Sequence, residues 1–399
     1  MIAFYAISLI PIVIGTVLFC ISKKVNIWEW LGGSACALLV SAIMHGIAFY
    51  GMTADIETLS GSITHVSHFP AWTGMYTETH TETHTDSDGN SYTTTYTDTH
   101  TEHHPEHWSA YLNFGEISEE KGIDKNLYDT IRIKFGAETF KNGHQGCFNG
   151  CSCIGGDNGI YTTVNKTGYI FPVTTTHTFV NKIKAAPTVF SFAKVPANIP
   201  VYEWPQNPNW MVSDRLLGVN GISVREWDLM NSRLGYKKRI NIIMVGFHSA
   251  DTTLGDWQRA KWIGGRKNDL VLCYGFEGTN TLWTKAFGWS DSEICKRNLE
   301  TILLLNPIND SIIPLLEKEI KTNYVRKDWK AFDYISIEPP RWAWITLIIV
   351  MIISQVGFWI WAGMNEFDKD SFINAYGGFS GDWQSKLRDW SGFESKNRW

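Results

Sequence analysis

Surplus positive charge is the first thing this 399-residue chain lacks: 35 Lys and Arg stand against 40 Asp and Glu, leaving a net charge of -5. The longest basic run is Lys237-Lys238-Arg239. A nucleic-acid face needs clustered cations to displace counterions, so that class is set aside. Signatures of hydrolytic and nucleotide chemistry are missing too. There is no Gly-x-Ser-x-Gly elbow, and Gly264-Gly265-Arg266-Lys267 leads into a strand without the Walker spacing. The apolar N-terminal run has neither a basic n-region nor a small-residue cleavage site, which favours a retained helix over a signal peptide. What the chain has in quantity is tryptophan, 19 of them, within 14% aromatics. Trp and Tyr rings suit the headgroup region of a bilayer.

Three apolar segments are expected to span a membrane, each near the roughly 20 residues a crossing requires: Ile2 to Ile21, Trp28 to Tyr50 and Trp342 to Trp361. His45, inside the second, reads as bonded to a neighbouring helix or to interfacial water. Lys23 and Lys24 between the first two spans place that loop in the cytoplasm by the positive-inside bias. The N-terminus and the large central region then lie outside. The C-terminal tail, with Lys369, Lys386, Arg388, Lys396 and Arg398, lies inside. In that tail Trp383, Leu387, Trp390 and Phe393 recur at helical spacing, as in a helix lying in the interface or packed on a partner. The expected fold class is an α+β membrane protein. Two transmembrane helices occupy 1–51, a β-rich ectodomain 52–220, an α/β domain 221–337, a third transmembrane helix 341–363 and a cytoplasmic tail 364–399.

Between Thr77 and His104 threonine alternates with acidic, histidine and tyrosine residues. Strict alternation is the mark of a strand, so residues 76–104 are expected to form a long projecting hairpin. A three-residue loop, Asp88-Gly89-Asn90, would set Thr77, Thr79, Thr81, Thr83 and Thr85 opposite Thr101, Thr99, Thr97, Thr95 and Thr93. The other face would pair Glu78 with His100, His80 with Asp98, Glu82 with Tyr96 and His84 with Thr94. Neither face is apolar, so the ribbon is expected to meet water or another subunit. Eight of the 12 histidines fall between His65 and His107. Imidazoles beside carboxylates are ordinary ligands for Zn, Cu or Ni, which makes His80, His84, His100 and His104 candidate metal ligands. The competing reading is a solvated or partner-pairing threonine ribbon with incidental histidines, since no closed four-ligand set with zinc spacing is present. Asp86-x-Asp88-Gly-Asn90 resembles the start of a calcium loop without its downstream glutamate, and reads more simply as a turn.

From Trp108 to about Gly218 the runs TIRIKF, IYTTV and TVFSF are β-like and helical periodicity is slight. His144, Cys147, Cys151 and Cys153 cluster there. A disulfide is the default outside the cytoplasm, with a thiol left over or joined to Cys273 or Cys295; a Cys3His zinc site is the alternative. Further on, Ser223-Val-Arg-Glu226 is a capping box that opens a helix ending at Gly235. A buried strand Ile240 to Phe247 follows, then a helix near Leu254 to Trp262, strands Leu270 to Phe276 and Thr281 to Phe287, and a helix from about Asp291 to Leu305. His248, Ser249 and Asp251 follow a strand end, where α/β sheets often bind ligands.

With its "INIIMV" strand, its helix ending at Trp262-Ile-Gly264, its Lys267-Asn268-Asp269 turn into "LVLCYGFEG" and its acidic turn Gly288-Trp-Ser-Asp291, the stretch from Ile222 to Ile335 resembles the TPM-domain family. The resemblance implies an extracytoplasmic α/β domain beside a membrane span, and an association with phosphatase activity, divalent-cation binding or upkeep of membrane complexes. By position it implies acidic roles for Asp269, Glu277 and Asp291, so that Asp269 and Asp291 join the candidate metal ligands and Ca joins Zn as a candidate ion. Asp269 stands where the family usually has glycine. Without the resemblance, Asp269 simply opens a strand and Asp291 a helix, where acids are common for dipole reasons.

The reading favoured by all this is a membrane-anchored structural or adaptor protein, whose extracytoplasmic part mediates assembly with its own copies or with a membrane-protein partner. The alternative is a tethered TPM-type phosphatase or cation-binding domain.

Overall fold

The computed structural model describes residues 4–22, 26–85, 89–141, 151–206, 209–211 and 214–365. These fall into two compact units. One comprises residues 1–54, 180–186 and 334–399, as far as they are described, and the other residues 55–179 and 187–333.

The first unit is helical. Helix α1 (Phe4–Val17) contains Pro11 and runs into a π-helical turn at Leu18–Ser22. Helix α2 (Ile27–Thr53) starts at a capping box, with Asn26 accepting from the Trp28 amide and Glu29 reaching back to the Asn26 amide at 2.7 Å. Helix α9 (Arg341–Asn365) ends the described chain. Phe4, Ala37, Met44, Ala48, Ala343, Leu347 and Met351 form the seam. Gln355 donates to the Gly33 carbonyl at 3.1 Å, and the His45 ring lies edge-on to Tyr5 at 5.8 Å. The opposite flanks leave Leu39, Ile43, Ile349 and Ile353 exposed, as suits helices whose surroundings are apolar. Among the described residues two helices are long and apolar enough to cross a membrane, α2 and residues Arg341–Ala362 of α9. The expectation for the first span, Ile2 to Ile21, is corrected: among the described residues its apolar helical stretch, Phe4–Cys20, is too short to be counted with these two. The tail stripe Trp383 to Phe393 lies outside the described residues. Helix α4 (Lys182–Ala185) completes the unit, with the Asn181 amide donating to the Thr53 carbonyl.

The second unit carries three sheets. Strand β1 (Ala54–Phe69) sits in a six-stranded sheet ordered β5-β4-β1-β8-β6, and β9 also pairs with β1. The strands are β4 (His107–Asn113), β5 (Ser118–Ile123), β6 (Glu138–Lys141), β8 (Ile160–Val164) and β9 (Pro172–Val180). Helix α3 (Lys125–Phe135) seals the sheet by setting Tyr128, Ile131 and Phe135 on Leu59, Ile63, Val66, Leu112 and Phe114. It overturns the reading of TIRIKF as a strand. The Asp124 carboxylate caps the Leu127 amide at 2.8 Å, and a 3–4 residue apolar period outweighs the β-branched side chains. TVFSF is likewise no strand: Pro187–Phe190 is a 3-10 turn whose Phe190 packs on Trp289 and Phe332.

The second sheet runs β10-β11-β12-β13. Here β10 (Leu216–Leu217), β11 (Asn241–Phe247) and β12 (Asp269–Glu277) are parallel, and β13 (Asn280–Gly288) is antiparallel. Helices α5 (Val224–Lys238), α7 (Glu293–Leu305) and α8 (Ile313–Asn323) contribute to the core against Ile242, Met244, Leu270 and Leu272. Helix α6 (Thr253–Lys261) and Trp262 belong to a second core with Ile243, Val245, Val271 and Cys273. Both faces are covered, which is why INIIMVGF shows no polar alternation. A third sheet, β3-β2-β7, is the ribbon.

Candidate functional site

The ribbon consists of β2 (Trp72–Thr85) and β3 (Ser91–His104), paired antiparallel over their whole lengths. At the root, β7 (Ser152–Gly156) pairs with Trp72 to Met75 of β2, the extent of their pairing among the described residues. Gly74 is required there, since a Cβ would lie 2.6 Å from Cys151 Sγ and 2.7 Å from the Trp72 ring. Cys151 is disulfide-bonded, whereas Cys153, Cys273 and Cys295 are free. A Cys151 locked in a disulfide is unavailable as a thiolate ligand; His144 and Cys147 lie outside the described residues. Burial pushes the Cys295 thiol up to about 12, so it is an inert core thiol.

The register differs by two residues from the one the sequence suggests. Thr77 faces Thr99, Glu78 faces Asp98, His80 faces Tyr96, Glu82 faces Thr94 and His84 faces Tyr92. The connection therefore runs from Thr85 to Ser91. An even shift keeps each side chain on its face, so alternation could not fix the register. Ring stacking distinguishes the two alignments. His104 lies on Trp72 with centroids 4.3 Å apart, His100 on Tyr76 at 5.1 Å, His80 on Tyr96 at 5.2 Å and His84 on Tyr92 at 5.4 Å. Such cross-strand ring pairs stabilise a sheet by roughly 0.2–1 kcal/mol each. Their signal in the sequence is the four-residue spacing shared by the histidines and by Tyr92 and Tyr96.

One face thus alternates ring pairs with carboxylates. His80 Nε2 lies 3.8 Å from Glu78 and 3.7 Å from Asp98, His100 Nε2 lies 3.6 Å from Glu78, His84 lies 3.5 Å from Glu82 and His104 lies 3.3 Å from Glu102. The other face is a double file of threonines, Thr77, Thr79, Thr81 and Thr83 against Thr99, Thr97, Thr95 and Thr93. Both strands are largely exposed from Thr77 to the tip. Near the root, His68 meets Glu106 at 2.8 Å. There the hydrogen bond from Tyr161, followed by one from the Gly159 amide, holds the Asp157 carboxyl below its usual range.

The proposed metal ligands His80, His84, His100 and His104 therefore share a face, each stacked on its own aromatic partner. Among the described residues, no three His, Cys, Asp or Glu side chains converge as an ion-holding group. The other two candidates, Asp269 and Asp291, have protein partners. Asp269 is buried, accepting from Asn241 Nδ2 at 2.7 Å and from the Arg266 amide at 3.0 Å. Burial raises its carboxyl above the usual range, the bonds from Asn241 and the nearby Arg266 offsetting only part of that effect. Asp291 receives Lys327 Nζ at 2.7 Å, and Glu277 closes the β12–β13 turn opposite Asn280. His248 packs edge-on to Phe276, the Ser249 carbonyl accepts from Trp283 at 3.0 Å, and Asp251 accepts from the Thr253 amide at 2.9 Å. All three residues have local structural partners.

The chain matches no family model, no curated protein and no solved structure.

Beyond the expected candidates lies Arg215, which sequence reasoning missed. It is almost wholly buried, at 3% exposure. It donates to Asn241 at 2.7 Å, Asp228 at 2.9 Å, Ser60 at 2.7 Å and Thr174 at 3.2 Å. Those partners come from β11, α5, β1 and β9, so one guanidinium joins the six-stranded sheet to the α/β layer. Its partners are up to 155 residues away, and no local pattern announces them.

Proposed function

We propose that this protein is a membrane-anchored assembly or adaptor protein whose ribbon, Trp72–His104, is its contact surface. In this reading α2 and α9 anchor the chain, with the ribbon-bearing unit outside the cytoplasm. The observation that carries the proposal is an extended two-stranded sheet with no apolar face, whose edges beyond the root, Thr77–Thr85 and Ser91–Thr99, pair with no further strand among the described residues. Exposed edges are ready templates for strand addition. The disulfide at Cys151 suits an oxidising compartment. The tethered-phosphatase alternative draws no support from Asp269 and Asp291, whose carboxylates are engaged by Asn241, Arg266 and Lys327.

The decisive experiment excises Thr77–Thr99 and joins the facing residues Tyr76 and His100 through an Asn-Gly turn, which keeps the root intact. Detergent-extracted full-length protein is expected to run as a defined oligomer or complex by light scattering, and the excised variant as a smaller species. Equal sizes for the two would remove the proposal. Resistance of the protein to alkaline extraction from membranes checks the anchor.

A further inference from the structure

We infer that the partner at the ribbon is a second copy of this chain, joined edge to edge along β2 in antiparallel register about a two-fold axis through Thr81. The inference rests on the assembly reading above and specifies its partner. Among the described residues, β2 is covered on its outer side only from Trp72 to Met75, by β7, which leaves the edge from Thr77 to Thr85 open. Along that edge the sequence is Thr-Glu-Thr-His-Thr-Glu-Thr-His-Thr. A two-fold axis perpendicular to the sheet keeps like faces together and sets residue i against a partner residue at a fixed sum. Centred on Thr81, it places Glu78 opposite the second copy's His84 and His80 opposite its Glu82. Symmetry doubles these to four acid–imidazole pairs. On the other face Thr77 meets Thr85, Thr79 meets Thr83 and Thr81 meets itself.

Neighbouring centres do this less well: those on Thr79 or Thr83 also set acid against imidazole, but they align only 77–81 or 81–85 of the open edge and give two such pairs instead of four. Centring on His80 sets Glu78 against Glu82 and His80 against its own copy, and centring on Glu82 sets Glu82 against itself and His80 against His84. Like groups directly opposite one another are destabilising, and opposite charges are stabilising. The free length agrees as well. Each strand's mate ends at Thr85, where its connection to β3 begins, two residues short of Met75, where β7 already occupies the edge. The edge of β3 matches itself less extensively: its best centre, Thr101, spans only 98–104 and sets Thr99 against His103. The product of β2 pairing is a four-stranded sheet, β3-β2-β2-β3, with a continuous threonine surface on one side and a histidine–carboxylate–aromatic surface on the other.

Cysteine scanning and charge exchange on full-length protein in detergent test this. Under mild oxidation T81C is expected to cross-link to itself. T79C and T83C are expected to cross-link when mixed and not alone, because each lies about 14 Å along the strands from its own copy, four residues at ~3.4 Å, beyond the ~7 Å a disulfide spans. H80E/H84E, which makes the edge all-acidic, is expected to weaken self-association ~tenfold or more, and the fully exchanged E78H/H80E/E82H/H84E to restore it, since its order is again self-complementary. Cross-linking through T97C or T101C instead, or failure of the exchanged variant to recover where H80E/H84E dissociates, overturns the β2 register. If ribbon excision still shrinks the assembly in that case, the broader assembly reading survives. A wild-type chain that is monomeric and indifferent to ribbon excision overturns both.

Discussion

Arg215 illustrates how much of this molecule depends on single side chains. Taking an arginine out of water is costly, and here four hydrogen-bond partners, the Asp228 carboxylate among them, offset that cost. Burial depresses its guanidinium, and Asp228 and Asp269 oppose that shift. Arg215→Ala leaves Asp228 and Asn241 without their donor, so urea unfolding is expected to show a loss of roughly 3–5 kcal/mol. Glu119 sets an acid limit. Burial tends to raise its carboxyl, but the hydrogen bond from Thr175 at 2.8 Å and the proximity of Lys121 and His177 outweigh this and lower it below the usual 4.5. A lowered carboxyl favours the folded state above its unfolded value, and that contribution is lost as pH falls through the folded value. Glu119→Gln is therefore expected to flatten the decline in stability below pH ~4.5, as read by denaturant midpoints across that range. Cysteine chemistry was legible in outline: a disulfide was the default, and Cys151 is disulfide-bonded. The free thiols of Cys273 and Cys295 lie in buried positions, which no spacing rule reveals.

Elements whose faces are fully buried or strictly alternating were the most readable. INIIMVGF and LVLCYGF had to be interior strands, since their length and flanks suit nothing else. The threonine alternation had to be a ribbon. Helix α3 was obscured because Ile131 and Ile133 resemble strand residues, and only the Asp124 cap and the spacing of Tyr128, Ile131 and Phe135 favour a helix. Asp124→Ala is expected to cost about 1 kcal/mol of stability by removing the acceptor for the Leu127 amide, measurable as a shift in the denaturation midpoint with unchanged slope. The ribbon's register escaped because a period of two tolerates any even displacement; stacking of each imidazole on its aromatic partner distinguishes the alternatives. At the ribbon's root, Gly74→Val would drive a side chain into Cys151 and the Trp72 ring. Amide exchange between Trp72 and Met75 is expected to accelerate while the α/β strands stay protected.

For the whole molecule, the sheet at residues 54–180 and the α/β layer at 214–333 share the Arg215 network, and Ser232 donates to the Gly61 carbonyl between them. A fragment of residues 221–337 lacks Arg215, Ser60 and Thr174, so it is expected to be unfolded or molten by near-UV circular dichroism, while the full chain is not. Sequence composition drew a boundary near residue 220 because the texture of the chain changes there, from broken β-like runs to long apolar ones. Texture follows local structure, and the contacts that tie distant stretches together leave no trace in it. The apolar ends were plain for the opposite reason, since a long apolar helix is recorded in every residue along it. Among the described residues only the first apolar stretch, Phe4–Cys20, is too short to count with them.

The mating edge proposed for β2 contains no greasy side chain at all, only hydroxyls, imidazoles and carboxylates. Two copies can therefore come apart without stranding oil in water. Such a fastening answers to local concentration and loosens in strong salt, releasing as readily as it closes.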